Sequence, residues 1–84
     1  MRVKLLGYLS YIAGGDSFEL RDVKSVEEAI RRLSNLAEIE ELIFHEKGLW
    51  EGVVLILNGE LISELNAPVK EDDELVITLP TAGG

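Results

Sequence analysis

Cysteine is missing from this 84-residue chain, and with it go disulfide frameworks, thiolate metal sites, iron–sulfur clusters and a cysteine nucleophile. That absence is consistent with a reducing, cytoplasmic setting. Basic residues are scarce: eight Lys and Arg stand against sixteen Asp and Glu, a net charge of −8. Phosphate backbones are bound mainly by Lys and Arg that displace counterions, so no nucleic-acid partner is expected. No uninterrupted apolar run follows Met1-Arg2-Val3-Lys4-Leu5-Leu6-Gly7 that would serve as a signal segment or membrane span. A soluble protein with no membrane partner is expected. Linkers, repeats and low-complexity segments are lacking as well.

What is present suffices for one small core. Apolar residues make up 46% of the chain, and a single domain over residues 1–84 is expected, with residues 80–84 as a flexible C-terminal tail. Residues 2–12 mix β-branched, aromatic and apolar types, Gly14-Gly15-Asp16 marks a turn, and Phe18 and Leu20 alternate with Glu19 and Arg21. This pattern predicts an N-terminal β-hairpin running to Val23. Ser25, three residues before Glu28, predicts a capping box that starts a helix. Val26, Ala29, Ile30, Leu33, Leu36 and Ala37 then follow helical spacing, with Glu27, Arg31 and Arg32 on the other side. Ile39, Leu42 and Ile43 predict one further helical turn or two, and His45-Glu46-Lys47-Gly48 reads as a loop.

Val53-Val54-Leu55-Ile56-Leu57 is a continuous apolar run, expected as a strand covered on both faces. Asn58-Gly59 predicts a tight type I′ hairpin with residues 60–63 returning antiparallel, and residues 75–79 predict a last strand. The order suits an α+β fold: a mixed four- to five-stranded sheet with one main helix across one face, and the final strand parallel to the first.

The acids concentrate in residues 38–41 and in Glu71-Asp72-Asp73-Glu74, a field that favours solubility and steers toward positively charged protein surfaces. The second cluster lacks the alternating ligands and glycine of a calcium loop, so no metal is expected. His45 beside Glu46 reads as a surface histidine rather than a general base, and Phe44 and Trp50 as satellite core or edge cover.

The sequence closes on Pro80-Thr81-Ala82-Gly83-Gly84. Glycine carries no Cβ, so such a pair packs no core but passes through a channel too narrow for side chains. From Pro80 to Gly84 the arm reaches at most about 14 Å, at roughly 3.3–3.6 Å per residue. Fixing four such residues costs on the order of 4–8 kcal/mol of backbone entropy. A globular body must therefore dock and hold the arm at high effective concentration.

These features together resemble the ubiquitin-like β-grasp sulfur carriers of the MoaD/ThiS type, which include the molybdopterin synthase small subunit, the thiamine sulfur carrier and archaeal ubiquitin-like modifiers. The resemblance rests on the opening strand with Leu9-Ser10-Tyr11-Ile12-Ala13-Gly14, the capped helix at Ser25-Val26-Glu27-Glu28-Ala29, the turn Leu55-Ile56-Leu57-Asn58-Gly59, and the ending from Glu71 to Gly84. It implies that the Gly84 carboxylate is adenylated by an E1-like enzyme using ATP with magnesium, no cofactor being bound by the chain itself. A sulfur donor protein then converts Gly84 to a thiocarboxylate, or Gly84 is joined to a lysine. The leading expectation is a non-catalytic small subunit beside a molybdopterin synthase large subunit. Modifier, thiamine or tRNA-thiolation roles are alternatives, and an interaction domain with an inert tail is the alternative of a different class. Where many molybdopterin synthase small subunits carry two prolines and a bulky apolar residue, this chain has Leu79-Pro80-Thr81-Ala82. Thiamine carriers are usually shorter through residues 38–50.

Strand alternation supplies the expected docking patch. If Val3 and Leu5 face the helix, Leu6 and Tyr8 lie on the open face of the sheet, joined by Val76 and Thr78 of the last strand. Pro80, Thr81, Ala82 and Gly83 complete the expected partner-binding set.

Overall fold

The computed structural model describes residues 1–35 and 39–79. The expected helical positions Leu36 and Ala37, and the tail from Pro80 to Gly84, lie outside the described residues. Among the described residues ten elements follow in order: β1 (Arg2–Leu5), α1 (Tyr8–Ala13), β2 (Ser17–Glu19), α2 (Val26–Ser34), α3 (Glu40–Ile43), β3 (Phe44–His45), β4 (Gly48–Leu49), β5 (Val54–Leu57), β6 (Glu60–Ile62) and β7 (Glu74–Thr78). Five strands form one mixed sheet in the order β2-β1-β7-β5-β6, with β1 and β7 parallel and the other pairs antiparallel. α2 is the main helix on one face, as the α+β reading expects.

Alternation along the strands determines which face is filled. Val3 and Leu5 of β1, Leu55 of β5, and Leu75 and Ile77 of β7 are fully buried, and Val26, Ala29, Ile30 and Leu33 of α2 meet them in one continuous cluster. Each such Leu or Ile contributes about 1.5–3 kcal/mol by leaving water. Among the described residues no buried side-chain nitrogen or oxygen lacks a hydrogen-bond partner, so the core carries no desolvation penalty of that kind.

The start of α2 is well anchored. Ser25 Oγ accepts from the Glu28 amide at 3.1 Å, as the capping box predicts, whereas the Glu28 carboxylate accepts from the Lys24 amide at 3.1 Å, one residue further out than expected. The next free amides, of Val26 and Glu27, donate to the Ala67 and Leu65 carbonyls at 3.0 and 2.8 Å. Glu27 and Glu28 in the first turn and Arg31 and Arg32 in the last complement the helix dipole.

Three expectations need correction. The N-terminal hairpin does not run through Ile12: β1 ends at Leu5, and residues 8–13 are helical. Gly7, at φ 61° and ψ −132°, turns the chain where a side chain would be strained, and its carbonyl accepts from Ser10 Oγ at 2.7 Å. Leu9 is then buried, with Ile12 and Ala13 packed behind it. The second strand stops at Glu19 rather than reaching Val23, because Asp22 adopts φ 58° and leaves the pleat. Finally, β5 is covered on one face only: Leu55 is buried while Val54 and Ile56 stay half-exposed. The loop at residues 45–48 is the tip of a small hairpin, β3 paired with β4.

The acidic turn before β7 is structural. Asp73 accepts from Asn58 Nδ2 at 2.9 Å and from the Lys70 amide at 2.7 Å, while Asn58 Oδ1 accepts from the Glu74 amide at 2.9 Å. Asn58 and Gly59, at φ 51° and 85°, make the tight turn, so the same asparagine closes the β5–β6 hairpin and clasps the entry to β7.

Ser25→Ala should lower stability by about 1 kcal/mol in denaturant unfolding, the usual value of a lost N-cap. The Asn58 amide, then the Lys70 amide and the Lys70 charge, hold the Asp73 carboxyl below its ordinary value of 3.8. Because this pKa is depressed in the folded state, its contribution is full above the unfolded value and is lost as pH falls through the folded one. Asp73→Ala should therefore lower Tm by about 3–6 °C at pH 7, and the gap to the parent should close in thermal scans as pH drops below 3.8.

Candidate functional site

The face of the sheet turned away from α2 is built in rows by strand register. Arg2, Glu19 and Glu74 are aligned across β1, β2 and β7, with an Arg2–Glu19 ion pair at 3.1 Å. The next row places Lys4 beside Val76, Val76 beside Ile56, and Ile56 opposite Leu61. Thr78 and Val54 pair in the third row, flanked by Leu6, whose amide still donates to the Ile77 carbonyl at 3.1 Å. The face thus changes from charged to apolar along β7 in the direction the chain runs. A bridge between Lys4 Nζ and Glu74 at 3.8 Å sits at the charged end.

Leu6 is 47% exposed and Leu61 76%, while Val54, Ile56, Val76 and Thr78 are half-exposed. Three of the four expected patch residues, Leu6, Val76 and Thr78, therefore share this face. Tyr8 does not belong to the strand pattern: the pleat ends at the Gly7 turn, and Tyr8, 54% exposed, opens α1. Sequence reasoning misses Leu61, Ile56 and Val54. The signal is available, since a two-residue Asn-Gly loop pairs Leu57 with Glu60 and hence Ile56 with Leu61.

β7 is the middle strand, so the chain leaves the sheet between the C-terminal end of β1 and the N-terminal end of β5. The exit is flanked by Leu6 on one side and Val54 on the other, and Leu79 packs against the core. The expected reacting residue Gly84, with Gly83, Ala82, Thr81 and Pro80, lies outside the described residues. Among the described residues no group of three or more His, Asp or Glu is placed to hold a metal ion, and no helix is long and apolar enough to cross a membrane. His45 is half-buried, its Nδ1 accepting from the Lys47 amide at 3.2 Å and its ring 4.2 Å from Trp50.

A model of the ThiS family matches residues 3–84. The chain belongs to the ThiS family. No curated protein sequence matches it significantly. Among solved structures, this ThiS-family chain is similar to SAMP1 from Haloferax volcanii, with 25% identity and TM-score 0.82 over 100% of this chain and 98% of that one. It is similar to a chain of the Amycolatopsis orientalis BexX/CysO complex, with 28% identity and TM-score 0.85 over 99% and 98% of the two chains. A third likeness is to a putative molybdopterin converting factor subunit 1 from Pyrococcus furiosus, with 26% identity and TM-score 0.71 over 95% of each chain. The ThiS-family chain has the ubiquitin-like β-grasp fold, which it shares with these neighbours.

Replacing Leu61 or Ile56 by Ser should leave thermal stability within about 1 kcal/mol of the parent, because both face outward, whereas Leu55→Ala should cost about 2–5 kcal/mol in chemical unfolding.

Proposed function

We propose that this protein is a sulfur carrier and protein co-substrate whose reacting group is the main-chain carboxylate of Gly84. The observation that supports this reading is the course of β7: the central strand carries an open apolar face and continues in sequence into Pro80-Thr81-Ala82-Gly83-Gly84. A carboxylate is a poor electrophile because its charge repels nucleophiles and its oxide leaves badly. In the proposed reaction an E1-like enzyme uses ATP, with magnesium, to turn the carboxylate into an acyl adenylate with loss of pyrophosphate. The terminal sulfur of a persulfide on the donor protein then attacks the acyl carbon and AMP leaves; a thiol cleaves the resulting acyl disulfide, forming a disulfide with the donor's sulfur, and a thiocarboxylate remains at Gly84. The mixed anhydride hydrolyses in water, which explains the need for a partner that encloses a side-chain-free end.

In this reading Leu6, Val54, Ile56, Leu61, Val76 and Thr78 dock the body on its partners, while Gly83 supplies clearance. The partners are the adenylating enzyme, the sulfur donor and a molybdopterin synthase large subunit, in the cytoplasm, with the sulfur passing into molybdopterin for the molybdenum cofactor. Support comes from the likeness to the Pyrococcus furiosus protein, and from the BexX/CysO complex, in which a similar chain is found with a partner protein. A second reading, attachment of Gly84 to lysine amines as a protein modifier, is favoured by the likeness to SAMP1 over the full chain.

Intact mass after incubation with an adenylating enzyme, ATP and a sulfur donor should show one oxygen of the terminal carboxyl replaced by sulfur. Adenylate formation without that exchange would count against the carrier role, and Gly84-to-lysine isopeptides in host digests would favour the modifier. Leu6→Asp should keep the fold by circular dichroism and lower the efficiency of adenylation by roughly tenfold or more, the value of one buried leucine at a docking surface.

A further inference from the structure

The helix layer, on the opposite side from the docking face, holds a second surface that the carrier chemistry does not use. α2, α3 and the β3–β4 hairpin enclose an open groove of about 700 Å³. Leu65 and Phe44 line its apolar part, and Trp50 and His45 stand together at 4.2 Å with their planes inclined at 54°. Trp50 is 48% exposed yet fixed, since its indole Nε1 donates to the Glu41 carbonyl at 2.7 Å. A large aromatic surface is thus held ready at little further entropic cost.

The charges around this wall are unevenly matched. Arg31 lies 5.1 Å over the Phe44 ring and is bracketed by Glu27 and Glu40, each at 3.2 Å, so its charge is already offset. Glu41 and Glu46 also line the groove, and both are exposed without an ion pair among the described residues. A groove lined by an exposed indole and by two carboxylates free of ion pairs among the described residues has the electrostatics of a cation receptor, the ring quadrupole and the carboxylates acting in the same sense.

We propose that this groove docks a basic segment of a partner protein, in which an arginine or lysine lies on Trp50 between Glu41 and Glu46 and an adjacent apolar side chain enters beside Leu65. Charge complementarity selects this occupant: an acidic segment meets uncompensated carboxylates, and a purely apolar one leaves both glutamates without counter-charge. The groove lies on the opposite side of the sheet from the docking face, so a partner held here is compatible with a second partner on that face.

The chain contains one tryptophan, so its intrinsic emission reports on this groove. Full-length protein is titrated with the acetylated, amidated peptide Leu-Arg-Leu-Lys-Leu and with its counterpart Leu-Glu-Leu-Glu-Leu. The basic peptide should give a saturable change in emission and the acidic peptide none. Binding should weaken by roughly tenfold when Glu41→Gln and Glu46→Gln are combined, with the far-UV circular dichroism unchanged, and by a similar factor in the parent at about 0.5 M salt. Trp50→Leu, followed through the backbone amide resonances of Glu41 and Gly48, should bind at least about tenfold more weakly than the parent read the same way. The proposal is overturned by equal responses to the two peptides, by no saturable response, by undiminished binding in the double variant, or by amide changes centred on Ile56, Leu61 and Val76.

Discussion

The parallel pairing of β1 with β7 is the constraint on which the rest of the molecule depends. It joins the two ends of the chain at the centre of the sheet, from Arg2 beside Glu74 to Leu5 beside Ile77. With that register in place, Val3, Leu5, Leu75 and Ile77 all point at α2, and a shift of one residue would turn every one of them to water. The same register decides which residues remain outside. The apolar end of the open face and the point where the chain leaves the sheet coincide because β1 and β7 run in the same direction.

Around this pair the molecule uses its polar groups sparingly and locally. Asn58 joins the β5–β6 turn to the start of β7, Ser25 and two carbonyls of the segment after β6 complete the amides of α2, and Glu71 accepts from the Asp22 amide at 3.2 Å. Apart from the Asp22–Glu71 contact, which joins two loops, each lies at an end of an element, where backbone groups have no partner of their own. The strong net negative charge is thereby divided. Part of it, in Glu71 and Asp73, is occupied in holding the fold, and part, around α3, faces outward.

Much of this architecture is legible in the amino-acid sequence. The capped helix, the Asn-Gly hairpin and the parallel return of the last strand all follow from local chemistry and from the crossover through α2. The departures share one physical origin: side-chain type is a weaker guide than spacing or φ. Tyr8 to Ile12 carry strand-favouring side chains, yet Leu9, Ile12 and Ala13 stand at helical intervals, and Gly7 supplies the turn that starts α1. β2 ends at Glu19, and Asp22 beyond it takes a left-handed backbone conformation that residue type alone does not announce and that keeps the strand from reaching Val23. The apolar run in β5 has the composition of a strand covered on both faces. Its outer residues, Val54 and Ile56, instead lie half-exposed on the open face. The groove beside Trp50 is not legible in the sequence, because it needs α3 and the β3–β4 hairpin to bring Trp50, His45 and the glutamates together.

Because the middle strand, β7, is also the last strand in sequence order, the five-stranded sheet cannot close until that strand has been made. Until then β1 and β5 lack the neighbour that lies between them, and the nascent chain has hairpins and a helix but no joined sheet. Assembly of the sheet therefore waits on its last strand. The segment proposed to react is delivered by the same strand whose arrival completes the body, so an unfinished chain presents neither.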